Sequence, residues 1–519
     1  MRHLPNHRPF SAGLILLLLS TSAFAISGDP GKLYQKYCAD CHGADRLGGK
    51  GPALIPGVLT RLRPKAAKKA ILNGLASTQM PAFADRLSPA DAGALVKIIY
   101  TPLGYTPVWG DKEIRASRIV YHDPADLGDK PVYDADPLNL FLVVETGDHH
   151  VTVLDGDRLE PLTRFKSRYS LHGGIKYSPH GRFAYMVSRD GWVSKYDMYN
   201  LKMLSEIRAG INARNLAISS DGKYLAIGNY LPQTLVILNA ADLSLNRIIA
   251  VGDGNGRRSR VSAVYDAAPR KSFIVALKDI PELWEISYAK HPVYYGKVHD
   301  YRDEGPPKIT EPFPIRRIEL DDYLDDFFFD QGYDNLMGAA RNSRNGQVIN
   351  LNIGRKIAAI DLPGLPHLGS GITWIRHGHP VMATPNIKQG VVSVIDMRTW
   401  KTIKRIKTLG PGFFMRSHEN SPYAWVDVFF GPNRDAMQVI DKQSLKIVKT
   451  LRPAPGKTSA HVEFTRDGRY ALVSIWDRDG ALVVYDSKTL EEVKRIPMKK
   501  PSGKYNVYNK ITRSAGTSH

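Results

Sequence analysis

The sequence predicts a small all-α domain followed by an all-β propeller of eight blades. Three observations carry this. Residues 27–105 hold helix-forming runs with clear caps, whereas short β-rich runs broken by Gly, Asp and Pro begin near residue 138. The β-rich part repeats itself, with marks roughly 42 to 45 residues apart, the spacing of a four-stranded blade. About 380 residues divided by that period gives about eight blades, and a single blade cannot bury its faces alone.

The 519 residues are 43% hydrophobic and 24% charged, which excludes wholesale disorder and a multi-span membrane protein. The net charge of +20 attracts anionic partners by long-range steering. No recognition motif for nucleic acid accompanies it. Two cysteines are too few for a disulfide scaffold or for a cluster that needs four thiolates.

In chain order, residues 1–25 read as a secretory signal peptide: Arg2 and Arg8, an apolar run from Leu14 to Leu19, then Ala23-Phe24-Ala25 as cleavage site. The apolar run is too short to span a bilayer, and no later stretch is long and apolar enough. Export to a periplasm follows as the expected localisation. Helices are predicted over Gly31–Tyr37, Pro64–Leu75 and Pro89–Tyr100, the last opened by Ser88 as N-cap and Pro89 at the first helical position. Residues 106–137 read as a linker rich in Pro, Gly and Asp. From 138 to 519 the repeat is visible in Ser178-Pro179-His180-Gly181-Arg182-Phe183, Ser220-Asp221-Gly222-Lys223-Tyr224 and Arg466-Asp467-Gly468-Arg469-Tyr470. Strand ends are expected at Asp155, Asp197, Asn239, Asp396, Asp441 and Asp486. The stretch 254–345 is less regular and partly acidic (Asp321, Asp322, Asp325, Asp326), and loops that build a site are expected there.

Cys38-Ala39-Asp40-Cys41-His42 is a C-x-x-C-H motif. Two thiols add to the two vinyl groups of haem and the adjacent His reaches the iron, so one covalent haem c is expected on Cys38, Cys41 and His42. Met80, followed by Pro81, is the expected sixth ligand, because Gly74 and Pro81 let that segment fold over the haem edge; His122 is the rival. The first domain is therefore expected to be a c-type cytochrome.

A small c-type cytochrome joined to such a propeller resembles the cytochrome cd1 nitrite reductases and their relatives. The likeness rests on Tyr169-Ser170-Leu171-His172, Gly210-Ile211-Asn212-Ala213-Arg214, Leu365-Pro366-His367-Leu368-Gly369 and Ser502-Gly503-Lys504-Tyr505-Asn506-Val507-Tyr508-Asn509. It implies a propeller of the d1 type, holding haem d1 without covalent bonds. By position, His172 is implied as the proximal iron ligand and Arg214 as partner of a macrocycle carboxylate, a role that suits a planar, permanently charged fork. Arg189, Tyr230, Ser370 and Ser502 are further implied contacts.

The departures matter. The nitrite reductases carry two distal histidines; His367 matches one, whereas Asp325 stands at the other, and Ser370 replaces an expected arginine. This pattern resembles the maturation dehydrogenases of the family, which oxidise a propionate of dihydro-haem d1 to an acrylate. Electrons would leave through haem c to an external acceptor, and the nitrite reductase would receive the product. His367 is the first choice for base, since imidazole titrates near neutral pH, with His461 and Tyr505 next. His418 is read as a surface residue beside a turn, and His149-His150 as a poor chelate. The rival readings are a nitrite reductase variant and a non-catalytic haem d1 carrier. The large positive charge fits a carboxylate-rich tetrapyrrole.

Overall fold

A computed structural model describes Met1 and residues 28–49, 51–59, 62–74, 80–171, 173–295, 309–339, 345–362 and 364–512. Residues 2–25 of the expected signal peptide, and His172, lie outside the described residues.

The N-terminal part is helical for local reasons. Asp29 caps the helix Pro30–Tyr37 by accepting the Gly31 N–H at 2.9 Å. The helix Pro64–Asn73 ends on Gly74 at φ +67°, two residues short of the expected end. Ser88 and Asp91 exchange hydrogen bonds as a capping box at the head of Pro89–Tyr100. Their apolar faces meet in one core built on Tyr34, Phe83, Ala92, Leu95 and Ile99, with Met80 packed at its edge.

The remainder forms eight sheets of four or five antiparallel strands. Seven blades run inner to outer in chain order, with inner strands Lys176–Tyr177, Asn212–Ile218, Val261–Ala267, Asp326–Phe329, Ile372–Arg376, Met415–Ser417 and Ser459–Phe464. The remaining sheet, the first blade in chain order, closes the ring and makes the Lys176–Arg208 sheet the second blade: its inner strand is Pro501–Asn506, paired to Leu140–Glu145 from the other end of the propeller. This closure joins the ends of a chain of blades that could not otherwise bury both faces.

The repeat has a physical origin. The third strands end at Asp155, Asp197, Asn239, Asp396, Asp441 and Asp486, as expected. At five of these ends the Asp Oδ1 accepts backbone N–H groups two and three residues on, for example Gln443 and Ser444 onto Asp441 at 3.2 and 2.7 Å. Four residues on, the chain is left-handed at Leu159, Leu201, Leu243, Trp400, Leu445 and Leu490, with φ between 53° and 62°. A non-glycine residue there costs about 1–2 kcal/mol. At Leu159, Leu243, Leu445 and Leu490, burial of the side chain, about 1.5–3 kcal/mol, offsets it.

Two expectations are corrected. The stretch 254–345 is built on strands rather than loops: its described residues belong to two regular blades, with Arg260, Lys278, Asp325 and Asp326 at the ends of their strands. A long excursion between Glu282–Ser287 and Ile315–Glu319 breaks the period and hides them. Likewise the segment 106–137 is not a bare linker. It folds a helix at Asp111–Ala116 and lays Ile119–Val120 as a fifth strand on the outer edge of the second blade.

The candidate tetrapyrrole and haem sites

In the cytochrome part, Cys38 and Cys41 are free thiols one helical turn apart, and His42 is buried beside them. The His42 Nδ1 lies 2.7 Å from the Pro52 carbonyl oxygen. A carbonyl only accepts, so Nδ1 carries the proton and Nε2 is left for a metal. A Cβ added at Gly51 would stand 2.8 Å from His42 Cε1, so this glycine makes room for the ring. Burial pushes His42 below its ordinary value, which keeps the imidazole neutral and able to ligate. Met80 packs at the edge of the same core, and Gly74 lets its backbone approach: a Cβ there would meet the Met80 oxygen at 2.9 Å. His122, by contrast, is exposed and its N–H bonds to Leu204 on the second blade. The donor set fits a covalent haem.

At one end of the propeller, an arc of rings joins the expected side chains. His367 stacks on Phe413 at 4.0 Å between centroids; Phe413 meets Phe414 at 4.6 Å; Phe414 meets His461 at 4.8 Å; His461 meets Tyr505 at 5.5 Å. Phe429 and Trp476 back the arc. Gly174 lies against it, since a Cβ there would touch the Tyr505 ring at 3.2 Å. A small cavity runs between Leu171, Gly174, Ser502 and Tyr505.

The two histidines differ chemically. The His367 Nδ1 donates to the Phe413 carbonyl at 2.6 Å, leaving Nε2 as the basic nitrogen. Burial, and to a lesser degree Arg214, lowers its pKa, while Asp326 raises it, so it is neutral at neutral pH. His461 sits at a bulge in its strand with φ +53°, which turns its side chain out of the pleat. Its Nδ1 lies 3.5 Å from the Lys504 Nζ, and Lys504 also donates to the His461 carbonyl. Burial together with Lys504, Arg416 and Lys510 drives its pKa well below the ordinary value. His461 is thus a weak base, suited to orient or donate, and Tyr505, pushed up to about 12 by burial, stays a phenol.

Cations line the inner strands. Arg214 donates from Nε to the Ser262 carbonyl at 3.0 Å. Arg260 and Lys278 lie 5.4 and 5.9 Å from the centre of the Tyr230 ring. Lys278 pairs with Asp325, so that carboxylate is held by an ion pair. Arg189 and Ser502 are held by backbone bonds, Arg189 N–H to Ser170 and the Ser502 carbonyl from Trp476 Nε1 at 2.8 Å. Ser370 is buried, and its N–H bonds the His367 carbonyl at 3.0 Å.

Asp326 belongs to the acidic stretch where site residues were expected, whereas Asp427, Arg416 and Glu463 escaped the sequence reading. Asp326 accepts the Tyr265 hydroxyl at 2.9 Å beside His367. Asp427, fully buried, accepts the N–H groups of Phe413 and Phe414 at 2.7 and 3.1 Å and of His461 at 3.4 Å. Arg416 and Glu463 form a buried pair at 2.5 Å. No spacing rule announces them, because strands far apart in sequence bring them together. One reading was wrong: His418 is fully buried, not on the surface. It fills the space left by Gly468 in the turn of the next blade, and its Nδ1 accepts the Asn420 N–H at 3.1 Å. His149 is buried against Tyr169, and His150 turns to the Asp148 carbonyl at 2.9 Å.

Comparison with known proteins agrees with this geometry. The model described as "Cytochrome D1 heme domain" matches residues 135–510, and "Cytochrome C oxidase, cbb3-type, subunit III" matches residues 28–99. A dihydro-heme d1 dehydrogenase of Pseudomonas aeruginosa is 56% identical over 98% of this chain and 99% of its own length. The protein NirF of the same organism is 28% identical over 70% of this chain and 90% of its own. A solved structure of dihydro-heme d1 dehydrogenase NirN in complex with DHE has a TM-score of 0.86 and 56% identity, covering 93% of this chain and all of that one. With a c-type cytochrome in front and a propeller matched across 135–510, the chain belongs to the cytochrome D1 heme-domain family.

Proposed function

We propose that the protein is a dihydro-haem d1 dehydrogenase of haem d1 biosynthesis: it oxidises one propionate of dihydro-haem d1 to an acrylate. The relative at 56% identity carries that activity in its name. The observation that supports the reading in this chain is the unbroken run of ring contacts from His367 through Phe413, Phe414 and His461 to Tyr505. The reaction removes two electrons and two protons and breaks two C–H bonds. Covalent haem c supplies a one-electron acceptor, so an external oxidant must take two electrons in turn for each product.

The chain's own residues do the rest. His172 would hold the iron of a bound tetrapyrrole. Arg214 meets a carboxylate, with Tyr230, Arg189, Ser370 and Ser502 as further contacts. His367 takes a proton at Nε2, because Phe413 fixes the proton on Nδ1. His461 and Tyr505 orient the side chain undergoing oxidation. Met80 would ligate the haem c iron. No helix among the described residues is long and apolar enough to cross a membrane; export to the periplasm and delivery of product to a nitrite reductase complete the reading.

The test is to load the purified protein with dihydro-haem d1, add an oxidant and follow the absorption change. Conversion to haem d1 that disappears in His367→Ala, with substrate still bound, is the expected result. Rapid nitric oxide formation from nitrite, or tight binding with no conversion, would overturn it. The ion pair that occupies Asp325 argues for the dehydrogenase over a nitrite reductase, which needs a second proton donor there.

A further inference from the structure

Arg208 is the last residue of the strand Lys202–Arg208 in the second blade, and it is 6% exposed. Its guanidinium joins the two halves of the molecule. Nη2 donates to the Leu47 carbonyl of the haem-binding loop at 2.6 Å, and Nε donates to the Asp190 carbonyl of the propeller at 2.8 Å. On the cytochrome side, Gly48 N–H returns to the His42 carbonyl at 2.8 Å. On the propeller side, Arg189, adjacent to Asp190, donates its N–H to the Ser170 carbonyl at 3.1 Å, two residues before His172. The Trp109 ring covers the guanidinium at 4.5 Å, and its Nε1 donates to the Arg208 carbonyl at 2.9 Å. Leu47, Ala53 and Ile55 pack beside it on Ile211.

A buried guanidinium is a costly way to glue two surfaces, since an apolar residue of similar volume is often as good or better. We infer that Arg208 is a positioning residue for electron transfer, clamping the haem c loop onto the blade that carries the d1-site loop. The inference rests on the proposed flow of electrons from the tetrapyrrole to haem c. It follows a run of hydrogen bonds that leads from one site toward the other: His42, Gly48 and Leu47, Arg208, Asp190 and Arg189, Ser170.

The experiment compares wild type, Arg208→Met and Arg208→Lys as full-length holocytochromes. Mixing with dihydro-haem d1 and watching haem c absorption gives the rate at which haem c is reduced. Arg208→Met is expected to slow it at least tenfold, with substrate Kd within twofold, and Arg208→Lys, which can still reach one carbonyl, to recover most of it. Reduction of haem c by ascorbate should stay within twofold in both variants. Hydrogen exchange in residues 43–49 should quicken in Arg208→Met without any tetrapyrrole present. Substrate-driven reduction within twofold of wild type in Arg208→Met overturns the inference, and so does equal slowing with ascorbate, which would mark a damaged haem c. If wild type itself passes no electrons from dihydro-haem d1, the functional reading fails. The clamp then stands or falls on exchange alone, and unchanged protection of 43–49 refutes it.

Discussion

Asp427 offers a decisive perturbation because it ties both pocket histidines to one carboxylate. Its Oδ1 takes the N–H of Phe413, whose carbonyl in turn orients His367, and its Oδ2 takes the N–H of His461. Asp427→Asn keeps one acceptor and turns an NH2 toward the other donor. One buried N–H loses its partner, at a cost of about 1–3 kcal/mol. The pH dependence works in the opposite direction. Burial raises Asp427 to about 7 from an ordinary value of 3.8. A carboxyl raised on folding binds its proton more tightly in the native state, so wild-type stability falls as pH climbs from about 4 to 7. The upper bound is about 4 kcal/mol. Asn has no such loss. The variant should therefore melt below wild type at pH 4–5 and draw level or overtake it at pH 8. At about 2 cal/mol/K per residue, the swing between the two melting curves is roughly 5 °C. Loosening the histidines by a fraction of an ångström should lower kcat by about 10–100-fold with KM nearly unchanged. Thermal melts from pH 4 to 8 and steady-state kinetics check this. Parallel melting curves with kcat within twofold of wild type would refute the reasoning.

Other outcomes follow from the same geometry. Arg416→Met strands Glu463 in the core and should cost about 3–5 kcal/mol, read as a fall in melting temperature that Arg416→Met with Glu463→Gln largely restores. Lys504 is fully buried and lowered to about 7, so its ammonium burdens the folded state increasingly as pH falls from about 10 to 7. Relative to wild type, Lys504→Met should gain stability across that window, as a melting series from pH 6 to 10 would show. Gly51→Ala would drive a methyl into His42 and should abolish or shift the haem c Soret band, with the propeller's circular dichroism unchanged.

Much of this was legible in the sequence because it is local. The C-x-x-C-H run, the Ser88 cap and the Asp-led turns each depend on a few neighbouring residues, so their spacing survives in the chain. The sixth third-strand turn with this bonding pattern was legible too, though not read: Asn350 accepts the N–H groups of Asn352 and Ile353, and Gly354 is left-handed at φ +63°. What spacing hides is non-local. Asp427, Lys504 and Glu463 come from three strands and meet only when the blades close. His418 looked exposed because its own turn is polar, yet the space under Gly468 in the next blade takes its ring. The inner strand at 501–506 could not be assigned to the first blade from periodicity, since its partners lie more than 350 residues away.

The most direct test of the account is a single-turnover titration of the oxidised holoprotein with one equivalent of dihydro-haem d1. The account predicts a bound tetrapyrrole, haem c reduced by one electron, and completion of haem d1 only when an outside oxidant takes the second. Full conversion while haem c stays oxidised throughout, or no uptake of the tetrapyrrole, would contradict it.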